Sequence, residues 1–462
     1  MTLIATETRD VNVLRARCAG AVVAPEDEAW DEARQAWQLR FDQQPAAVVY
    51  PTDARDVAAA VRFAREAGLR VAVQGTGHNA PAYGSMGDDT LLVRTSEMHE
   101  VEIDPTARRA YVQAGALWEH AVAPASPLGL AALHGSSPDV GIAGYSLGGG
   151  VGWLARKYGL ACNSLTAVEL VTADGDHVRT DGEHDPELFW ALRGGGGNFG
   201  AVTALEFELY PVESVYAGWL IWPWAQSEQV LHRWAEWAST VPDEVTSVGR
   251  ILQLPPLPMI PEPIRGRQIV VVEAAYLGNE ADGTELLRPL HELAPEIDTF
   301  ATVPPAGLVR LHADPEGPTP AVVDHALTDE LPAAAVDAFL GTAGPSSGSP
   351  LVSAEIRHLG GALGTPAADA GALSHIDAAF MAIAIGMPMD DEAAAACERQ
   401  VSAVTNALAP WGSGRSYLNL AERPTDTRTA YSTDTYRRLQ ALRVAVDPVG
   451  VFRANHEIPK AT

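Results

Sequence analysis

A histidine sits inside a glycine loop, Gly75-Thr76-Gly77-His78-Asn79, and that combination permits two kinds of chemistry. Glycine has no Cβ, so backbone N–H groups there can approach a pyrophosphate closely and adopt the left-handed conformation an anion-binding nest requires. A neutral imidazole nitrogen is a competent nucleophile, so the loop could attach a cofactor as well as cradle it. Three more segments carry more glycine than packing needs: Gly141-Ile142-Ala143-Gly144, Gly148-Gly149-Gly150-Val151-Gly152 and Arg193-Gly194-Gly195-Gly196-Gly197-Asn198-Phe199-Gly200. Each alone reads by default as a turn. The dinucleotide fingerprint of doubly wound folds does not fit the first loop. It wants a third glycine three residues after the second, opening a helix, and here Ala80 is followed at once by Pro81.

The elements that must position these loops alternate strand and helix. Ala47-Val48-Val49-Tyr50 reads as a strand, after which Asp53 caps an amphipathic helix carrying Val57, Val61 and Ala64 and closed by Gly68. Residues 70–74 form the next strand and run into the first glycine loop. Residues 167–173 and 176–180 flank Asp174-Gly175, a two-residue hairpin turn. Asp185-Pro186 opens a short helix that Gly194 ends, and 201–209 is a final strand. From about 212 to 411 the chain is richer in Ala, Pro and long loops. It has strand candidates at 218–222, 269–276, 351–358 and 380–385, and covering helices near 230–237 and 392–407. An antiparallel sheet with helices on one face is the simplest arrangement. Residues 415–462 turn aromatic and basic again, with Tyr417-Leu418-Asn419, a helix at 436–444 and Asp447-Pro448. The fold class is α+β with antiparallel pairs, not a doubly wound sheet.

A chain of 462 residues implies two domains. Its formal charge of −27, from 59 acidic against 32 basic residues, repels phosphate backbones and anionic lipid, so neither nucleic acid nor a membrane surface is an expected partner. No apolar run approaches the roughly 20 residues that span a bilayer, and Met1 to Gly20 lacks the apolar core of a signal peptide. Cys18, Cys162 and Cys397 form neither a metal pattern nor a disulfide framework. No metal is expected, and a reducing cytoplasm fits best.

Taken in order, the glycine segments resemble the bacterial branch of the berberine bridge enzyme family, within the vanillyl-alcohol oxidase and p-cresol methylhydroxylase flavoproteins. The resemblance also rests on Ser137-Pro138-Asp139-Val140, on Trp153-Leu154-Ala155-Arg156-Lys157-Tyr158-Gly159-Leu160, and on Asp185-Pro186-Glu187-Leu188-Phe189-Trp190. At the far end Tyr417-Leu418-Asn419, Tyr436-Arg437-Arg438-Leu439, Asp447-Pro448, Phe452 and Asn455 complete it. It implies an FAD domain split between residues 1–211, with a core at about 42–211, and a closing segment at 412–462. Residues 212–411 would form the substrate-binding domain over the isoalloxazine ring. It further implies a bond from His78 to the flavin 8α-methyl carbon. Gly75, Thr76, Gly77 and Asn79, with Gly141 and Gly144, would hold the pyrophosphate and ribityl chain, and Gly200 and Val202 would lie along the adenine. Tyr145, Gly150, Asn419 and Asn455 complete the expected cofactor contacts.

Three positions depart from the family pattern. Ser137 stands where many members carry a cysteine bonded to flavin C6, so attachment should be single. Tyr145 replaces a common histidine, and Val151 an aromatic often used near the substrate. The resemblance makes Tyr417 the catalytic residue, taking a proton from a substrate hydroxyl while hydride passes to the flavin. It places Val140 at the flavin edge, where a small side chain admits dioxygen. The expected activity is therefore that of an FAD-dependent oxidase acting on a small organic alcohol, or closing a ring oxidatively, and producing hydrogen peroxide as a monomer or homodimer. Oxidation of a sugar or oligosaccharide by the same fold is the alternative, and a flavin carrier without turnover is the reading from another class. Arg250, Glu355, Arg357 and His358 lie on or beside strands of the second domain, with nothing in the sequence to say which faces the flavin.

Overall fold

The computed structural model describes residues 9–460. The Asp53 carboxylate accepts from the N–H groups of Arg55 and Asp56 to start the helix Ala54–Ala67, and Gly68 closes it in the left-handed conformation at φ +64°. That helix connects strands Ala47–Val49 and Arg70–Gln74, which flank Thr90–Arg94 and run parallel to it. This parallel trio adds to the antiparallel pairing read from the sequence. A helical crossover is what permits it, because parallel neighbours cannot be joined by a tight turn.

A second sheet is fully antiparallel, with strands in the order Val101–Asp104, Arg109–Gln113, Ala201–Glu208, Leu165–Val171 and His177–Asp181. Its last two strands are the hairpin turned at Asp174-Gly175. Asp185 caps the helix Pro186–Leu192 by accepting from the N–H of Leu188.

The third sheet has eight antiparallel strands. Along its main path the order is Ile297–Asp298, Val215–Pro223, Gln268–Tyr276, Val245–Gln253, Ser353–His358, Phe380–Gly386 and Val322–Thr328, and Ala301–Val303 also pairs with Val215–Pro223. Helices Ser227–Ala238, Glu280–His291, Ala333–Ala343 and Asp391–Ala407 cover one face, packing Trp234, Leu287, Phe339 and Val404 against Trp222, Val272 and Ile356. The two-residue period divides the strands between two jobs. Phe380, Ala382 and Ala384 point into this helix-covered core, while Met381 and Ile383 join a different cluster with Tyr417.

The strands that escaped the sequence reading include Val245–Gln253 and Val322–Thr328 in this sheet, with the short Ile297–Asp298 and Ala301–Val303, and Thr90–Arg94, Val101–Asp104 and Arg109–Gln113 in the first two sheets; the two long ones have an evident cause. Gly249, Arg250, Asp324 and His325 interrupt their apolar pattern. Gly249 is required by packing, since a Cβ there would come within 2.7 Å of the Trp234 ring.

The last segment returns to the first. After helix Thr433–Val446, Asp447 accepts from the N–H groups of Gly450 (2.9 Å), Val451 (2.8 Å) and Phe452 (3.0 Å), and Phe452 bridges to Val71 beside the first sheet. Buried Arg443 donates to the Asn198 carbonyl and side chain and to the Phe452 carbonyl. Among the described residues no helix is long and apolar enough to cross a membrane. Asp447 is fully buried, so Asp447→Ala leaves the Val451 and Phe452 N–H groups without an acceptor and the Gly450 N–H with only the residue 447 carbonyl. We expect it to lower stability by about 2–4 kcal/mol, read as an earlier thermal transition, with Asp447→Asn intermediate.

Candidate active site

A cavity of about 420 Å³ runs between the glycine loops and the uncovered face of the long sheet. Gly75, Thr76, Gly77, His78 and Asn79 line it, as do Ser137, Val140, Gly141, Gly144, Tyr145, Gly200, Val202, Asn419, Asn455 and Tyr417. Gly150 does not. Its N–H donates to the Tyr417 hydroxyl at 2.7 Å, and Tyr145 and Ala161 crowd the place of its Cβ, so packing accounts for that glycine.

The remaining glycines separate into two kinds. At Gly75 and Gly141 a Cβ would meet no protein atom closer than 3.8 Å, and at Gly144 and Gly197 none within 4 Å. All four border the cavity, so what their missing side chains open is room for a ligand. Gly200 borders it too, but Leu170 occupies the place of its Cβ. A continuous backbone wall of this kind fits a long, phosphate-bearing cofactor.

The far wall is the sheet. Met381, Ile383 and Ile385 from one strand and Val323 from its neighbour give an apolar strip, and Arg357 and Asp314 give a polar end. Behind Arg357 lies a buried charge network. Arg250 donates to Glu273 (3.0 Å) and to Ser353 (3.0 Å), and stands 3.3 Å from Glu355. Arg357 Nε donates to Glu355 at 2.7 Å. The His312 ring reaches Glu273 through Nδ1 and Glu355 through Nε2. Burial disfavours the Glu355 charge, but Arg357, His312 and Arg250 together hold its carboxyl well below the usual range. For His312, burial and the Arg250 cation act downward, yet Glu273, Glu355 and Asp314 raise it from 6.5 to about 9. His358 lies apart, accepting from Arg156 Nη1 at 2.9 Å; burial, then the Arg156 cation, lower it to about 3.

Tyr417 is buried where the two walls meet. Its hydroxyl accepts from Gly150 N–H and from the Asn419 amide at 3.2 Å, and Asn419 also donates to the Tyr145 carbonyl. Burial raises the phenol well above its ordinary value, offset only in part by the Gly150 and Asn419 hydrogen bonds and the Arg357 cation. Asn79 donates to the carbonyls of Asn419 and Ala421 and accepts from Asn455 at 2.8 Å. Thus the first loop and the closing segment are one construction.

Sequence reasoning did not single out Trp37, Asp139, His312, Asp314 or Glu422. Asp139 was visible inside Ser137-Pro138-Asp139-Val140-Gly141; the others lie in loops without a pattern. Trp37 stacks on His78 with centroids 3.9 Å apart. Glu422 borders the cavity, and burial raises its carboxyl to about 7 while the Gln38 amide pulls it back. Burial also pushes the Cys162 thiol up to about 12.

The chain carries a flavoprotein domain: residues 45–181 match a family model described as FAD binding domain. The protein has the fold of the berberine bridge enzyme-like proteins. BBE-like 1 of Physcomitrella patens superposes with a TM-score of 0.84 at 22% identity, over 98% of this chain and 99% of that one. The chain is 38% identical over 210 residues to (R)-6-hydroxynicotine oxidase of Paenarthrobacter nicotinovorans, covering 45% of this chain and 46% of that protein. It is 34% identical over 275 residues to glucooligosaccharide oxidase of Sarocladium strictum, covering 58% and 52%. These alignments span about half the length of each curated relative.

The charge network carries a pH signature. His312 is held at about 9 in the fold against an ordinary 6.5, so its protonation stabilises the protein fully below pH 6.5 and that contribution is lost as pH rises through 9. Urea midpoints of the wild type should fall across that window, and His312→Gln should flatten the fall. Parallel pH profiles would remove His312 from the account.

Proposed function

We propose that the protein is an FAD-dependent oxidase that removes hydride from an alcohol carbon of a small organic substrate, with the flavin tied through a single bond to His78 and dioxygen as final acceptor, giving hydrogen peroxide. The observation that carries this reading is the Tyr417 hydroxyl, held by two N–H donors where the glycine-lined wall meets the apolar strip. The names of the nicotine and oligosaccharide relatives, both oxidases, point the same way. We assign cofactor binding to residues 1–211 and 412–462, and substrate binding to 212–411.

Bound in the cavity, FAD supplies a two-electron acceptor that dioxygen can regenerate. Gly75, Gly141 and Gly144 would admit its pyrophosphate and ribityl chain, and Val140, which lines the cavity, would leave room for dioxygen. Tyr417 takes the substrate hydroxyl proton. Burial opposes the phenolate, and the Gly150 N–H, the Asn419 amide and the Arg357 cation stabilise it. Met381, Ile383 and Ile385 favour an apolar or aromatic substrate body. Arg357 and Asp314 suit sugar hydroxyls, which gives oligosaccharide oxidation as the second reading. Peroxide release measured across aromatic alcohols and oligosaccharides separates the two.

Acid-precipitated wild type should stay yellow, with one flavin-bearing peptide containing His78 and an unmodified peptide covering Ser137, while His78→Ala releases its flavin. Stopped-flow reduction by Tyr417→Phe should be about 10²- to 10⁴-fold slower, with reoxidation unchanged. Because the phenol is raised, wild-type reduction should accelerate with pH through neutrality into the alkaline range, and the variant should lose that dependence. A reductive rate within about threefold of wild type (roughly 0.65 kcal/mol) removes Tyr417 from the mechanism.

A further inference from the structure

The surroundings of His78 are more specific than a binding loop needs. Trp37 lies flat against the ring, 18° from parallel. The Thr76 hydroxyl is 2.7 Å from Nδ1. Nε2 is closed off from solvent and has no hydrogen-bond partner among the described residues, although Asp139 Oδ1 stands 3.7 Å away. Asp139 is itself fixed from three directions. Its Oδ1 accepts from Ser137 Oγ at 2.9 Å, and its Oδ2 accepts from Trp37 Nε1 and Gly317 N–H, each at 2.8 Å. Burial works against its charge, but His78, Gly317 and Trp37 hold the carboxyl well below the ordinary range.

These contacts bias where the imidazole proton sits. An ionised carboxylate only accepts, so its place beside Nε2 favours the tautomer with the proton on Nε2. That leaves a lone pair on Nδ1, where the neighbour is a hydroxyl that can donate and can also rotate away. Nε2 is closed off from solvent and His78 lines the cavity, which leaves Nδ1, once the Thr76 hydroxyl turns aside, as the nitrogen to meet a ligand there.

We propose that Asp139 is the positioning residue for covalent flavin attachment: it holds the proton on Nε2, makes Nδ1 the attacking atom and remains paired with the imidazolium that results. This rests on the His78 attachment proposed above. In the step, one C–H bond of the flavin methyl group breaks and a bond from Nδ1 to that carbon forms. The two electrons released pass to dioxygen, which takes up the methyl proton and one solvent proton and leaves as hydrogen peroxide. Nε2 keeps its proton, and the new positive charge faces Asp139. Trp37 prevents the ring from turning and exchanging the two nitrogens.

The test compares wild type, Asp139→Asn and Asp139→Glu, each isolated with its own FAD. Total flavin per chain is measured by absorbance and the covalent fraction by acid precipitation and intact mass. Asparagine keeps the shape and can still accept from Trp37, but it carries no charge. The expected result is near-stoichiometric, non-covalently bound FAD in Asp139→Asn, with attachment at least about tenfold slower, and substantial recovery in Asp139→Glu. Complete attachment in Asp139→Asn at the wild-type rate overturns the proposal. So does loss of all flavin from both variants, which would make Asp139 a structural residue. If wild-type FAD is itself non-covalent, the His78 reading fails along with this one; a covalent wild type with an equally covalent Asp139→Asn sinks the Asp139 role alone.

Discussion

The organisation of the cavity depends on taking several charges out of water together. Arg250, Glu273 and Glu355 lie on one face of the long sheet, and His312 is laid across them. Any one of these ions buried alone would cost several kcal/mol; as a matched set they are tolerated and rigid. The segment from His312 to Thr319 carries that rigidity across the seam. Asp314 accepts from Ser136, Gly317 N–H donates to Asp139, and Thr319 N–H donates to the Trp37 carbonyl. The sheet wall of the cavity and the residues that grip His78 are therefore joined by one loop.

The opposite wall solves a different problem. A long cofactor must be held by groups that do not fill the space it needs, and Gly75, Gly141, Gly144 and Gly197 provide backbone without side chain where no protein atom stands close. Gly150 and Gly200 have the same residue type for another reason, close packing against Tyr145, Ala161 and Leu170. Between the walls, Asn419 and Asn79 spend their amides on backbone carbonyls of partner segments. Those bonds fix Tyr417 relative to the first loop. Tyr417 thus sits at a junction formed only when the end of the chain docks on its beginning.

Ser137 and Cys162 bear on flavin chemistry in complementary ways. Ser137 donates to Asp139, so its hydroxyl orders the carboxylate beside His78. Cys162 is buried, with its thiol pushed up to about 12, and a thiol so rarely ionised at neutral pH is a poor nucleophile.

Local sequence determined whatever depends on neighbours along the chain. The Asp53 and Asp185 caps, the Gly68 stop, the Asp174-Gly175 turn and the apolar strands of the third sheet were legible, because caps, turns and two-residue alternation are set within a few residues. The glycine loops and His78 were legible by type and spacing. Strands Val245–Gln253 and Val322–Thr328 were not, because their buried polar residues break the alternation, and those residues have partners from distant segments: Arg250 with Glu273 and Glu355, Asp324 with Arg423. Trp37 and His312 were equally hidden, and Asp139, though it lies in a motif the sequence showed, gave no sign of its partners. Trp37 and Asp139 are 102 positions apart, and His312 and Glu273 are 39 apart; neither pair has a local signal. The sequence by itself determined which groups were available. Only the tertiary structure decided which of them share a hydrogen bond, which nitrogen of His78 lies beside Asp139, and which side chain of the sheet faces the cavity, because burial and proximity arise when separate segments pack.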